Sequence, residues 1–331
     1  MQGMISIDDS QIPSSYLEDS MPHINATYEI LIFTKHDANE KEISQVYISE
    51  KKSNHRVGWL IPILSIISLE HDYVDSIYFK KHAYEICNKF KGKIFHENTY
   101  FLVVSERLWK NLNGDLSKES LFVSLAEFGL YPKGDKNICA SYKNSLAKSI
   151  DAEIILDLSF CIPSCENNYI SELIHDKLKH EKNEYARFMY IYQVFELSME
   201  FIFYQEMNEF RRNKNHLGII RDKFAKLSSE NKLITLIYDK LNLNALDTAL
   251  NSKVKAVLGD LKGEDYYYNS YKAQVIYDIR NSLVHSYFRF NIQGELRYFC
   301  DYLEMEFYEI MKAFYHNSNF RDEFIKEYFT T

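Results

Sequence analysis

The segment from Glu184 to Arg212 constrains the fold more than any other stretch of this chain. Tyr185, Phe188, Met189, Tyr192, Phe195, Met199, Phe203 and Met207 recur at helical spacing and cover nearly the whole circumference. A helix apolar on almost every side belongs at the centre of a bundle or in a dimer interface. The exception is a stripe of Gln193, Glu196 and Glu200, spaced i, i+3, i+7. Carboxylates in such company pair with a cation or shift in pKa. Two readings follow for Glu196 and Glu200: a solvated face or structural ion pair, or a support that orients a cation at a site.

Helical spacing dominates the rest of this half, over Ile170–Lys179, Ile219–Leu227, Leu233–Leu243, Leu246–Leu258, Tyr266–Phe290, Glu295–Tyr315 and Phe320–Phe329. Before Cys161 the pattern differs. Tyr28–Phe33, Gln45–Ile48, Thr99–Val104 and Ile154–Leu158 have strand character. The apolar run Trp59–Ile67 fits either a buried strand or a helix, Tyr73–Lys91 has helical spacing, and Tyr131–Asp135 reads as a turn. A chain of 331 residues is long for one domain. The expectation is an α+β protein: a poorly ordered arm over 1–26, a mixed α/β domain over 27–160, and an all-helical domain over 166–331.

Net charge is −8, so no global basic surface is available for nucleic acid, although a local cationic cleft is compatible with it. The 26 Tyr and 22 Phe predict aromatic-rich contacts. Five cysteines without a secretory leader predict reduced thiols and a cytoplasmic location. Cys161 and Cys165 lack a second pair, so their spacing does not make a structural zinc site. The longest mainly apolar run, Val57–Leu69, contains Pro62 and is too short to span a bilayer. No glycine-rich phosphate loop, metal spacing or cofactor motif appears, and no cofactor is expected.

One segment carries chemistry. On a helix, Ile276, Ile279, Leu283 and Tyr287 form a core-facing stripe. Tyr277, Asp278, Arg280, Asn281 and His285 then fall on the opposite half. Asn281 and His285 are i, i+4 neighbours, and Arg280 starts about 140° from His285 on the wheel, within reach through its long side chain. A histidine near its reference pKa moves protons at neutral pH. An arginine fork stabilises a phosphate gathering charge. Together these groups suit RNA cleavage by 2′-hydroxyl attack on the neighbouring phosphate. Spacing alone is a weak signal, since Arg211 and His216 repeat it in a polar run. Tyr266, Tyr267 and Tyr268 just upstream are residues for base stacking or for packing.

The run Ile279-Arg280-Asn281-Ser282-Leu283-Val284-His285 resembles the signature of HEPN domains, the helical module of many prokaryotic RNases, toxins and phage-defence effectors. That motif is Arg, four to six residues beginning with a polar one, then His, and Arg280, Asn281 and His285 match it position by position. The resemblance implies a metal-independent endoribonuclease, with His285 in acid–base catalysis and Arg280 stabilising the phosphorane. It also implies a homodimer in which two motifs form one composite site, and a first-helix Glu such as Glu196 or Glu200 beside the Arg. Tyr287 extends the likeness to toxins whose antitoxin partner silences them by adding AMP to that Tyr; on the wheel it lies with the core stripe. A non-catalytic HEPN module binding nucleotides or protein is the alternative.

Overall fold

The computed structural model describes residues 3–8, 12–14, 27–50, 53–106, 118–133, 140–157, 172–212, 217–243, 257–259, 271–286 and 295–316. The chain divides into two compact units, Met1–Glu181 and Lys182–Thr331. The first holds a mixed sheet and the second is helical among the described residues, so the protein is α+β.

The sheet unit begins with β1 (Met4–Ser6), β2 (Tyr28–Thr34), β3 (Ser44–Glu50) and β4 (Ser53–Pro62). Two helices follow, α1 (Ile63–Ile67) and α2 (Ile77–Phe90). Then come β5 (Ile94–His96), β6 (Thr99–Ser105), α3 (Lys118–Ala126), β7 (Tyr131–Pro132) and β8 (Glu153–Leu156). Six strands form one sheet in the order β7-β2-β6-β4-β3-β8, antiparallel except for the parallel β3–β8 pair. The central strand β6 is buried on both faces. Its period of two sends Phe101 and Val103 into a cluster with Ile30, Trp59, Ile61 and the α2 residues Phe79, Ala83 and Ile86. Tyr100, Leu102 and Val104 enter a second cluster with Phe33, Val46, Leu60, Leu121 and Leu125.

The ambiguous run Trp59–Ile67 is both strand and helix: β4 ends at Pro62, which has no N–H to donate to a ladder, and α1 starts at the next residue. Helix α2 starts later than the spacing predicts, at the cap where Ser76 Oγ accepts from Phe79 N at 3.4 Å. Three expectations are corrected. Part of the supposedly loose arm is integral: Met4–Ser6 pairs with Ile94–His96, and Ile5, Ile7 and Ile12 are buried in the core. Tyr131–Pro132 is not simply a turn but an edge strand on Phe33 and Thr34, where a proline is tolerated. The expected first helix of the helical domain, Ile170–Lys179, is a short π-helical turn, Leu173–Lys177, within the sheet unit. Leu173, Ile174 and Leu178 are buried there, Ser141 N and Tyr142 N donate to Lys179 O, and Lys179 Nζ donates to Pro132 O at 3.1 Å. The division between the units accordingly falls after Glu181 rather than near residue 160.

His82 on α2 is 6% exposed, and burial first, then the charges of Lys81 and Arg56, push its pKa down to about 4. A folded-state value below the unfolded one means that the neutral ring belongs to the native state. Stability is therefore intact above pH ~6.5 and is lost as pH falls from there towards 4, by about 2–3 kcal/mol. We expect urea midpoints to fall over that window and His82→Phe to flatten the slope; an unchanged slope would refute the assignment.

The helical unit contains α4 (Glu184–Arg212), α5 (Leu217–Leu227), α6 (Glu230–Lys240), α7 (Lys272–Ser286) and α8 (Glu295–His316). Helix α4 packs against α6, α7 and α8. As its composition demands, Phe188, Ile191, Tyr192, Val194, Phe195, Met199, Phe201 and Ile202 are buried, while Gln193, Glu196 and Glu200 are exposed. Phe299, Phe188, Tyr192, Phe195 and Tyr238 form a run of near-parallel rings from α8 through α4 to α6, with successive centroids 6.2, 5.8, 6.1 and 6.4 Å apart. Two buried ion pairs join its helices: Arg187 with Glu304, and Lys272 Nζ with Glu306 Oε1 at 2.7 Å. The expected helices over 246–258 and 320–329 lie largely or wholly outside the described residues, as do Cys139, Cys161 and Cys165. Cys87 and Cys300 are buried and not joined in a disulfide, and burial pushes the Cys300 thiol far up.

Candidate functional site on helix α7

Helix α7 forms where the wheel places it, with Ile276, Ile279 and Leu283 each no more than 1% exposed. Arg280 lies on the flank of this stripe, facing α4 and α6, with 22% of its side chain exposed. Its Nη2 is 3.9 Å from Glu196 Oε1, and its Nε is 3.4 Å from Glu230 Oε1. The guanidinium carbon stands 5.7 Å from the centroid of the Tyr192 ring. Tyr192 Oη donates to Glu230 Oε1 at 2.7 Å, so the carboxylate is fixed by the same aromatic that underlies the arginine. Burial raises the Glu196 pKa against the opposing pull of Arg280, and Glu230 adds to the rise. Burial, then the bond to Glu230, raises the Tyr192 phenol.

The two ion pairs hold Arg280 by charge rather than by hydrogen bonds. Nε is buried without a hydrogen-bond partner, and none of the guanidinium N–H groups is spent on a described residue. An arginine offers five donors in a planar fork, so this one is oriented while its donors stay unused. Nε is enclosed beside Glu230, so an incoming oxyanion has only the Nη groups of this fork to meet.

The other expected site residues spread along α7. His285 is exposed in the last turn, and Asn281, one turn earlier, is half-buried, as is Tyr277. Asp278 is not on an outer face: it is 7% exposed and accepts from Gln274 Nε2 at 3.1 Å. Gln274 Oε1 in turn accepts from Asn231 Nδ2 at 2.9 Å. The wheel missed this because α6 covers a second flank of α7, burying a face that a single core stripe leaves to solvent. Of the two stripe glutamates, Glu196 meets Arg280, whereas Glu200, one turn on, forms no ion pair among the described residues. Tyr287 and the Tyr266–Tyr268 run lie outside the described residues.

Glu230 was not anticipated. It opens α6, directly after the N-cap position Ser229, and there it reads as a first-turn carboxylate serving the helix dipole. Only the fold brings it to a residue 50 positions away. Among the described residues no helix is long and apolar enough to cross a membrane, and no three His, Cys, Asp or Glu side chains are grouped to hold a metal ion. The chain is thus an α+β protein with a half-buried arginine held between two carboxylates on its helical unit. It matches no model of a known protein family, no curated protein and no solved structure.

Proposed function

We propose that the helical unit is a metal-independent endoribonuclease of the HEPN type, acting as a toxin or phage-defence effector from a composite site between two copies of the chain. The observation that carries this reading is the state of Arg280, oriented by Glu196, Glu230 and Tyr192 with its Nη groups donating to no described residue, on the helix that exposes His285. In the reaction one imidazole takes the proton of a ribose 2′-hydroxyl, and that oxygen forms a bond to the adjacent phosphorus. The bond to the 5′-oxygen breaks, and the imidazolium of the second copy protonates the leaving oxygen. The products are a 2′,3′-cyclic phosphate and a 5′-hydroxyl. Arg280 stabilises the charge of the phosphorane and Asn281 positions the reacting groups.

Labelled RNA incubated with the purified chain tests the reading. His285→Ala is expected to lower the cleavage rate by about 10²–10⁴-fold, leaving folding and dimerisation intact. Arg280→Lys is expected to cost on the order of 10²-fold, because an ammonium cannot reproduce the planar fork. Equal cleavage and cell toxicity in wild type and His285→Ala would defeat the site assignment.

A second reading draws on the same ion pairs. Glu196, Glu230 and Arg280 belong to α4, α6 and α7, so the arginine also serves as a clamp between three helices of a non-catalytic module that binds nucleotides or protein. In that case Arg280→Met lowers the unfolding midpoint and no variant changes RNA integrity.

A further inference from the structure

A cavity of about 210 Å³ opens in the sheet unit between α2 and the strands beneath it. Tyr28, Arg56 and Trp59 line it from β2 and β4, and Tyr78, Lys81 and His82 from α2. Three of these side chains are basic and none is acidic. Lys81 is 8% exposed, and its Nζ has no hydrogen-bond acceptor among the described residues. Its nearest compensation is the face of Tyr28, 5.1 Å from the ring centroid. Arg56 donates to Gln45 Oε1 at 3.0 Å and lies 5.6 Å over the Tyr78 ring. Neither Lys81 nor Arg56 forms an ion pair among the described residues.

The other buried lysines provide the control. Lys179 lies 3.8 Å from Asp176, Lys272 lies 2.7 Å from Glu306, and Lys312 lies 3.2 Å from Glu309. Lys81 alone among the described buried lysines has no carboxylate. A cation taken out of water without an anion costs free energy, and here an open cavity adjoins it. His82 Nδ1 is also buried without a partner among the described residues, and its depressed pKa keeps the ring neutral at neutral pH.

We propose that this cavity binds a phosphate monoester carried on a small flat organic body. Two basic side chains match a dianion, and a phosphate monoester carries a charge of about −1.5 to −2 near pH 7, where a carboxylate supplies only one. A guanidinium fork at the mouth and an ammonium inside are complementary donors for phosphate oxygens. Trp59, Tyr28 and Tyr78 supply apolar wall for a ring. The volume lies below the roughly 300 Å³ at which drug-sized pockets begin, which suits one ring rather than a dinucleotide or a polymer. The site lies in the unit that the ribonuclease reading does not use, so the two stand or fall separately.

Calorimetric titration of the full chain with phenyl phosphate, inorganic phosphate, benzoate and phenol tests the proposal, alongside thermal unfolding. Phenyl phosphate is expected to bind saturably and raise the midpoint, with inorganic phosphate and benzoate at least about tenfold weaker and phenol without effect. Lys81→Met should weaken phenyl phosphate at least about tenfold without lowering the midpoint of the ligand-free chain, since it removes an uncompensated charge. Arg56→Gln should weaken it comparably. No saturable binding of phenyl phosphate at millimolar concentration would overturn the proposal. So would benzoate or inorganic phosphate binding as tightly, or unchanged affinity in Lys81→Met.

Discussion

Glu304→Ala is expected to lower the stability of the helical unit by about 3–5 kcal/mol, the cost of leaving one member of a buried ion pair without the other. Glu304 on α8 and Arg187 on α4 are both fully buried, and Arg187 Nη2 donates to Glu304 Oε2. Tyr308 Oη, on the same helix as Glu304, donates to its Oε1 at 3.0 Å. Truncation takes a carboxylate away from a fully buried guanidinium and an acceptor away from a buried phenol. Converting both partners to methionine should instead cost less than Glu304→Ala, because the guanidinium is then removed together with its carboxylate. Urea melts followed by far-ultraviolet circular dichroism measure both. A loss below about 1 kcal/mol in Glu304→Ala would show that the pair carries little of the packing between α4 and α8.

Gly58→Ala should disrupt the sheet unit comparably. A methyl group built on Gly58 meets Val103 O at 2.2 Å, Val103 C at 3.0 Å and Val104 Cα at 3.2 Å. All three are backbone atoms of the paired strand β6, so no rotamer change relieves the overlap. The register of β3 on β4 also shifts between Val46 and Tyr47, next to this glycine, as expected where a bulge tightens the local twist. Overpacking that flexible side chains can absorb costs about 1–3 kcal/mol, and a rigid backbone contact between two interior strands belongs at or above the top of that range. Both tryptophans, Trp59 and Trp109, precede residue 182, so tryptophan emission follows this unit. An unchanged emission midpoint would mean that the strands separate at Gly58 without cost.

Legibility differed between the two halves for a physical reason. Helical amphipathicity is local: the apolar circumference of Glu184–Arg212 and the stripe Ile276-Ile279-Leu283 emerge from spacing alone, and the structure buries the stripe with Phe188, Tyr192, Phe195 and Met199 while Tyr185, Met189, Phe203 and Met207 are half-buried. Thr99–Ser105 is as plainly a strand, because seven residues rich in aromatic and branched side chains fit a sheet covered on both faces. The edge strand Tyr131–Pro132 is two residues long, too short for any period to register. Met4–Ser6 lies in a polar neighbourhood where three residues show no alternation, and only its pairing with Ile94–His96 gives it a role.

At the candidate site, spacing along the chain yields the motif Arg280, Asn281 and His285, the core stripe behind it, and the glutamate stripe that includes Glu196. Packing between helices selects the carboxylates that reach the arginine. It chose Glu196 over Glu200, added Glu230 from the start of α6, placed Tyr192 under the guanidinium and buried Asp278. Periodicity records which face of a helix is apolar, a property of neighbours in the chain. A charge network between three helices depends on the side each presents to the others, and that is settled by packing at distances in sequence that no local pattern spans.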